Sequence, residues 1–410
     1  MSGSSRLRRI LRDPLILPYY LPALMFAVSE GMLVPVLPIY ARDFGVSYGL
    51  VGLVLAGEGF GMLLGDVPAG MLIRRVGKKG TMLLGIGCAV LSTVMLFWAG
   101  HISEVLVWRL LAGFGRAFYN VSRHAYMVDA VTVASRGRAM AVWGGVFRIG
   151  GFAGPVVGGT VATAYGLQGP FLLSGGACAV ALIVIAIFMR DMETRPQRGS
   201  VASRSKGNYL LSTLRAHYPV LASAGTGQLL AQMIRAGRKA IIPLYAADVI
   251  GLDVQAIGYV VSISSAIDMS LFYPAGLIMD RLGRKCAIVP SFVIQAIGMS
   301  LVPLTGDFSS LLFVSAVIGF GSGIGSGCMM TLGADLAPQE LQGEFLGVWR
   351  LIGDAGRCGA PLIVGSVADL VMLQPATWMM TGVGLIAGMI FALFVPETLK
   401  KRRRCSARSF

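Results

Sequence analysis

Charge is scarce in this chain. Aspartate, glutamate, lysine and arginine make up 13% of its 410 residues, about half the roughly 25% of a soluble domain. That deficit excludes an ordinary water-soluble globule. Histidine is nearly absent, and His101, His124 and His217 are too scattered to form a metal pattern. The cysteines are few. Cys88, Cys178, Cys328 and Cys358 fall in apolar runs, and Cys286 and Cys405 fall beside basic segments. Their spacing fits neither zinc ligation nor a disulfide framework. There is no phosphate loop and no nucleophile elbow. ATP-driven transport by this chain alone and hydrolysis are therefore not expected, nor is any metal, cofactor or enzymatic activity. No cleavable leader is evident, because the first apolar run, 15–40, is too long for a signal core and reads as a spanning helix.

Apolar residues are what the chain has in excess. They make up 55% of it, with a mean hydropathy of +0.73. In so apolar a chain, 55 glycines point to closely approaching transmembrane helices rather than to disorder. Runs of about 20 residues, the length that crosses a bilayer, occur twelve times. Six lie at roughly 15–40, 48–73, 80–99, 103–127, 138–164 and 169–189. Six more lie at roughly 218–247, 255–279, 286–305, 309–333, 343–371 and 375–395. The sequence thus divides into an N-terminal bundle (1–189), a polar basic linker (190–217), a C-terminal bundle (218–397) and a basic tail (398–410).

The net charge of +15 is not the footprint of a nucleic-acid binder. The cations cluster before the first span, after the second, fourth and eighth, in the linker and in the tail. The alternate loops are nearly free of them, and Arg42 is the exception. This positive-inside distribution places both termini and the linker in the cytoplasm.

The two halves repeat each other. Residues 70–80, GMLIRRVGKKG, match 276–286, GLIMDRLGRKC, so the offset is 276 − 70 = 206. Gly113 and Gly115 match Gly319 and Gly321, Trp143 matches Trp349, and Pro155 matches Pro361 at the same offset. A duplicated membrane protein of this kind places its site between the halves.

Three motifs give the chain a resemblance to the major facilitator superfamily over nearly its whole length. The first is the loop motif Gly70–Lys79, echoed at Gly276–Lys285. The second is RLLAGFGRA in the fourth span, with Arg109, Gly113, Gly115 and Ala117 at the family's positions. The third is GGFAGPVVGG in the fifth span, carrying Gly150, Gly154, Pro155, Gly158 and Gly159. The third motif resembles that of the twelve-span drug/proton antiporter branch. The resemblance implies an all-α fold of two pseudo-symmetric six-helix bundles and transport by alternating access.

In the loop motif, Gly70 should let another helix approach and Gly77 should permit a tight turn. Arg74, Arg75 and Lys78 in the first half, with Arg281 and Arg284 after Gly276 and Gly283 in the second, place cations at the cytoplasmic surface. The family carries an acidic residue four places after the first glycine. Asp280 fills that position in the second half, but the first half has Arg74. Asp129, which with Arg136 resembles the family's acid-then-arginine pair, is the substitute partner for those cations.

Arg109, Arg116 and Arg123 are seven apart, so at about 100° per residue they form a ladder on one helix face. A bare arginine in hydrocarbon costs at least about 2.5–3.5 kcal/mol, so the ladder must face protein, water or acidic partners. Arg123, near the helix end, reads as solvated. Arg109 also matches the family's motif arginine, which is associated with proton coupling. The intramembrane carboxylates are Glu30, Glu58, Asp66, Asp268 and Asp354. Glu30 is the preferred proton or substrate residue, because it lies mid-span and corresponds in the repeat to Arg235, an opposite charge. Asp268, Arg148, Arg235 and Asp354 are further cavity or gating candidates, with Arg350, Asp354 and Arg357 read as a local ion-pair network. The glycines around Pro155 make a smooth packing face, and the proline permits a bend.

The expected function is proton-coupled efflux of a small organic or amphipathic solute, by a monomer in the plasma membrane. The partners are the solute, protons and the lipid bilayer. Buried cations outnumber buried acids, which favours an anionic solute, while the family branch favours a cationic one. An organic-anion carrier without proton antiport and a transporter-like sensor that binds without translocating are the alternatives.

Overall fold

The computed structural model describes residues 19–131, 136–189, 218–338 and 342–399. The start of the first span before 19, the expected linker and the tail from 400 lie outside the described residues, as does the side chain of Arg136. Every regular element among them is a helix. The first span is Leu21–Asp43. The second and third are two arms of one helix, Tyr48–Met95. The fourth, fifth and sixth are Ile102–Ala130, Arg136–Tyr165 and Gly169–Phe188. The seventh is Tyr218–Tyr245, continued by a short π turn. The eighth, ninth and tenth are Val254–Arg281, Lys285–Leu304 and Phe308–Leu336. The eleventh and twelfth are Gln342–Leu370 and Leu373–Leu393.

The second and third spans depart from the sequence expectation of a loop between them. Helical bonding continues through the basic motif, and only Gly77 breaks it, at φ 77°. Its counterpart Gly283 (77 + 206) has φ 117°. Both backbones enter the region that disfavours a Cβ, so glycine is what allows the chain to reverse there. The tenth span is interrupted differently. It breaks between Ile324 and Cys328, around Gly327 at φ 78°.

The duplication persists in the packing. The first span lies on the fifth as the seventh lies on the eleventh. The second pairs with the fourth as the eighth pairs with the tenth, and the third with the sixth as the ninth with the twelfth. Between the halves, the second span packs on the eleventh and the fifth on the eighth. Twelve spans thus form two pseudo-symmetric six-helix bundles. Large side chains such as Leu64, Phe313 and Leu370 are exposed on the outside, as suits a multi-pass membrane protein whose solvent is lipid. Backbone polar groups are satisfied within each helix, the condition for crossing hydrocarbon.

Glycine brings the spans close. A methyl group at Gly154 would meet the Cα of Gly31 at 2.5 Å, and Gly150 and Gly158 are equally tight against Ala27 and Met32. The fifth-span motif therefore seats that helix on the first span. Gly159 turns the other way, against Val254 and Gln255 of the eighth span. One motif thus packs within its own half and across to the other.

Candidate functional site

A cavity of about 570 Å³ lies between the bundles, lined from both halves. The fourth-span arginines reach it because the second span packs against the fourth almost backbone to backbone. At Gly113, any Cβ would collide with the carbonyl of Glu58. This approach delivers the Glu58 carboxylate to the ladder, where it accepts from both Arg109 and Arg116. Arg116 spends its other arm on Glu30 of the first span, at 2.7 Å. One Glu30 oxygen, Oε1, has no hydrogen-bond partner. Two carboxylates from different helices therefore share one guanidinium at the cavity wall.

The third rung differs from its expectation. Arg123 is not solvated but only 2% exposed. Its guanidinium lies 4.3 Å from the Trp143 ring and 5.2 Å from the Tyr119 ring. The aromatic faces hold it where water was expected, because the helix end is covered by the fifth span.

Across the interface, Arg148 of the fifth span donates to Asp268 of the eighth at 3.0 Å and also to Ser326 of the tenth. Ser322 supports the second Asp268 oxygen at 3.3 Å, and the Phe272 ring lies 4.6 Å below the guanidinium. Glu30, Arg109, Arg148 and Asp268 thus meet at one cavity. Arg235 and Asp354 are not among its lining residues. Glu30 and Arg235, opposite charges at equivalent repeat positions, do not pair with each other. The Gly325 carbonyl, in the break of the tenth span, accepts from the Cys328 amide at 3.3 Å and from Arg235 at 3.1 Å. Asp354 is held by its own helix, at 3.4 Å from Arg357 and 4.0 Å from Arg350.

Sequence reading singled out Glu58 and Arg116 without giving them a site role. The signal was present in Gly57, Gly59 and Gly61, which frame the one acid on a close-packed face. Arg238 and Lys239, beside Arg235 on the seventh span, also line the cavity.

The two halves are sealed on the face remote from the loop motifs. Tyr48 and Gly49 amides at the start of the second span donate to Asp369 at 2.6 and 2.8 Å. Ser262 donates to the Phe152 carbonyl at 2.7 Å. On the motif face the arrangement is looser. Lys78 pairs with Asp129. At the same offset of 206, Arg284 pairs with Asp335 at 3.0 Å, and with Asp280 at 3.0 Å. Arg74, Arg75 and Arg281 are exposed. Burial would raise the Glu397 carboxyl, but the amides of Leu399, Lys285 and Arg284 outweigh it and hold it below the usual range. Gly70 does not admit a close helix here. It and Gly276 face open space.

The sequence model of the Major Facilitator Superfamily matches residues 20–361 and, again, 224–409. Among known proteins, an MFS-type transporter of Methanocaldococcus jannaschii is 24% identical over 343 residues, covering 84% of this chain and 88% of that protein. Multidrug resistance protein 2 of Bacillus subtilis is 22% identical over 364 residues, covering 88% and 89%. The crystal structure of a D-xylose-proton symporter superposes with a TM-score of 0.75 at 16% identity, covering 95% of this chain and 99% of that one. At that identity the likeness is one of fold.

Proposed function

The chain belongs to the major facilitator superfamily, matched from residue 20 to 361, and from that premise we propose that it exports a small organic or amphipathic solute in exchange for protons. The relative named for multidrug resistance supports efflux. The moving bodies are residues 1–189 and 218–397, which rock about the central cavity in alternating access. The basic loop motifs mark the cytoplasmic face by the positive-inside rule. The conformation described, sealed on the remote face, is then the one open to the cytoplasm. A monomer in the plasma membrane suffices for this cycle.

One observation carries the coupling: Glu30 and Glu58 share Arg116 at the cavity wall, with Glu30 Oε1 unpartnered. Glu58 accepts from two guanidiniums. Glu30 has one, so protonating it frees half of Arg116 to turn toward solute or back to Glu58. A proton and a solute can thus compete for one charged group, which is what exchange requires.

The test is Glu30→Gln in proteoliposomes. Solute flux should persist down its own gradient but lose its response to an imposed pH gradient. Coupling equal to that of the wild type would remove Glu30 from this role.

A further inference from the structure

The cavity wall carries three carboxylates (Glu30, Glu58 and Asp268) against six basic side chains. Most of these cations are answered. Arg109 and Arg116 have Glu58 and Glu30, Arg148 has Asp268, and Arg357 has Asp354. Arg238 and Lys239 of the seventh span form no ion pair among the described residues. The Arg238 Nη1 is buried without a hydrogen-bond partner.

Both side chains also line a smaller pocket of about 90 Å³ that adjoins the main cavity. Ser264, Ser265 and Ser315 complete its polar wall, and Pro155, Ile242 and Val260 its apolar one. The Ser315 hydroxyl is likewise buried with no partner. Ser264 and Ser265 spend their hydroxyl protons on the backbone carbonyls of Ser315 and Val261. Two unanswered donors, a guanidinium and a hydroxyl, therefore line a recess beside a free ammonium. An unmade bond at a buried donor costs about 1–3 kcal/mol. An acceptor with negative charge would answer both donors and the ammonium together. At about 30 Å³ per water, the recess has room for a carboxylate, sulfonate or phosphate group but not for a whole organic solute. The main cavity, within the range of about 300–1,000 Å³ typical of ligand sites, offers apolar walls from Leu33, Val34, Leu37 and Leu55.

We propose that the solute is an amphipathic organic anion. Its headgroup seats against Arg238, Lys239 and Ser315, and its apolar body lies in the main cavity. This inference rests on the transport reading for the movement of the anion, but not for its binding.

Matched probes test it: 1-pyrenebutyrate and a pyrene of the same chain length ending in trimethylammonium. Binding to the detergent-purified protein is followed by pyrene fluorescence, and flux in proteoliposomes with and without a pH gradient. Pyrenebutyrate should bind, and Arg238→Gln and Lys239→Gln should each weaken it tenfold or more. Ser315→Ala, which perturbs the fold least, should weaken it several-fold. Size-exclusion elution reports whether each variant is folded. The inference is overturned if the cationic probe binds and the anionic one does not, or if pyrenebutyrate affinity is unchanged in all three variants. Pyrenebutyrate binding without flux would uphold the anion site and remove transport. Flux of the cationic probe alone, driven by the pH gradient, would uphold transport and remove the anion site.

Discussion

Arg42 and Asp248 occupy equivalent positions in the two halves, 206 residues apart, and meet each other at 3.3 Å across the interface. A residue pairs with its own repeat mate only where the pseudo-twofold axis passes between them. The Tyr48 hydroxyl donates to the same Asp248 oxygen at 2.8 Å, and its ring lies 4.3 Å from the Arg42 guanidinium. This also accounts for the one cation that broke the charge asymmetry of the loops. Arg42 is there as a clasp between the bundles.

The clasp and the Asp369 contacts close the same face. Asp369→Asn removes the charge that holds the Tyr48 and Gly49 amides. In a cysteine-free background carrying Leu37→Cys at the cavity wall, an impermeant thiol reagent applied from that face should react several-fold faster when Asp369→Asn is added. An unchanged rate would mean that the helix packing alone seals the face.

Glu58 and Glu30 should separate stability from coupling. Removing one member of a buried ion pair leaves an uncompensated charge and costs about 3–5 kcal/mol. Glu58→Gln strips two arginines at once, whereas Glu30→Gln leaves Arg116 with Glu58. Thermal unfolding in detergent should therefore show the larger drop for Glu58→Gln. Equal drops would place comparable structural weight on Glu30.

Gly113→Ala should destabilise by about 1–3 kcal/mol through overpacking, since its Cβ would enter the Glu58 carbonyl. Gly144→Ala is the control, with nothing within 4 Å of its Cβ. Melting temperatures of the two variants, measured side by side, check the difference. Similar values would mean that the second and fourth spans can part without cost.

The fold was legible because lipid imposes it. Span length, glycine seams and the 206-residue echo depend on few variables, and each is written locally in the chain. The loop motif between the second and third spans was harder to read, since polar composition mimics a loop while helical bonding runs on to Gly77. Partner choice was less legible still. The match of Glu30 with Arg235 in the repeat indicated complementary charge, but pairing is decided by which helices touch. Arg235 donates instead to the Gly325 carbonyl, inside the break around Gly327, which a charge pattern does not mark. The glycines that flank Glu58 carry a packing signal that its charge alone does not.

Arg123 bears on what the ladder is for. Its repeat mate is Met329, whose carbonyl accepts the Trp349 indole at 3.0 Å. In the first half the equivalent Trp143 indole nitrogen has no partner, and Arg123 lies over the ring instead. The second half thus holds a buried methionine at the equivalent position. Burying an arginine costs about 2.5–3.5 kcal/mol, and a desolvated stack on an aromatic face returns about 2 kcal/mol. Tyr119 adds a second ring, but the guanidinium Nε and Nη1 are also buried without a hydrogen-bond partner, which weighs against the arginine. Arg123→Met should therefore cost no more than about 1 kcal/mol of unfolding stability in detergent. If solute flux nonetheless falls tenfold or more, the guanidinium serves the transport cycle rather than the fold. A stability loss well above that figure would show that its aromatic box is a structural fixture.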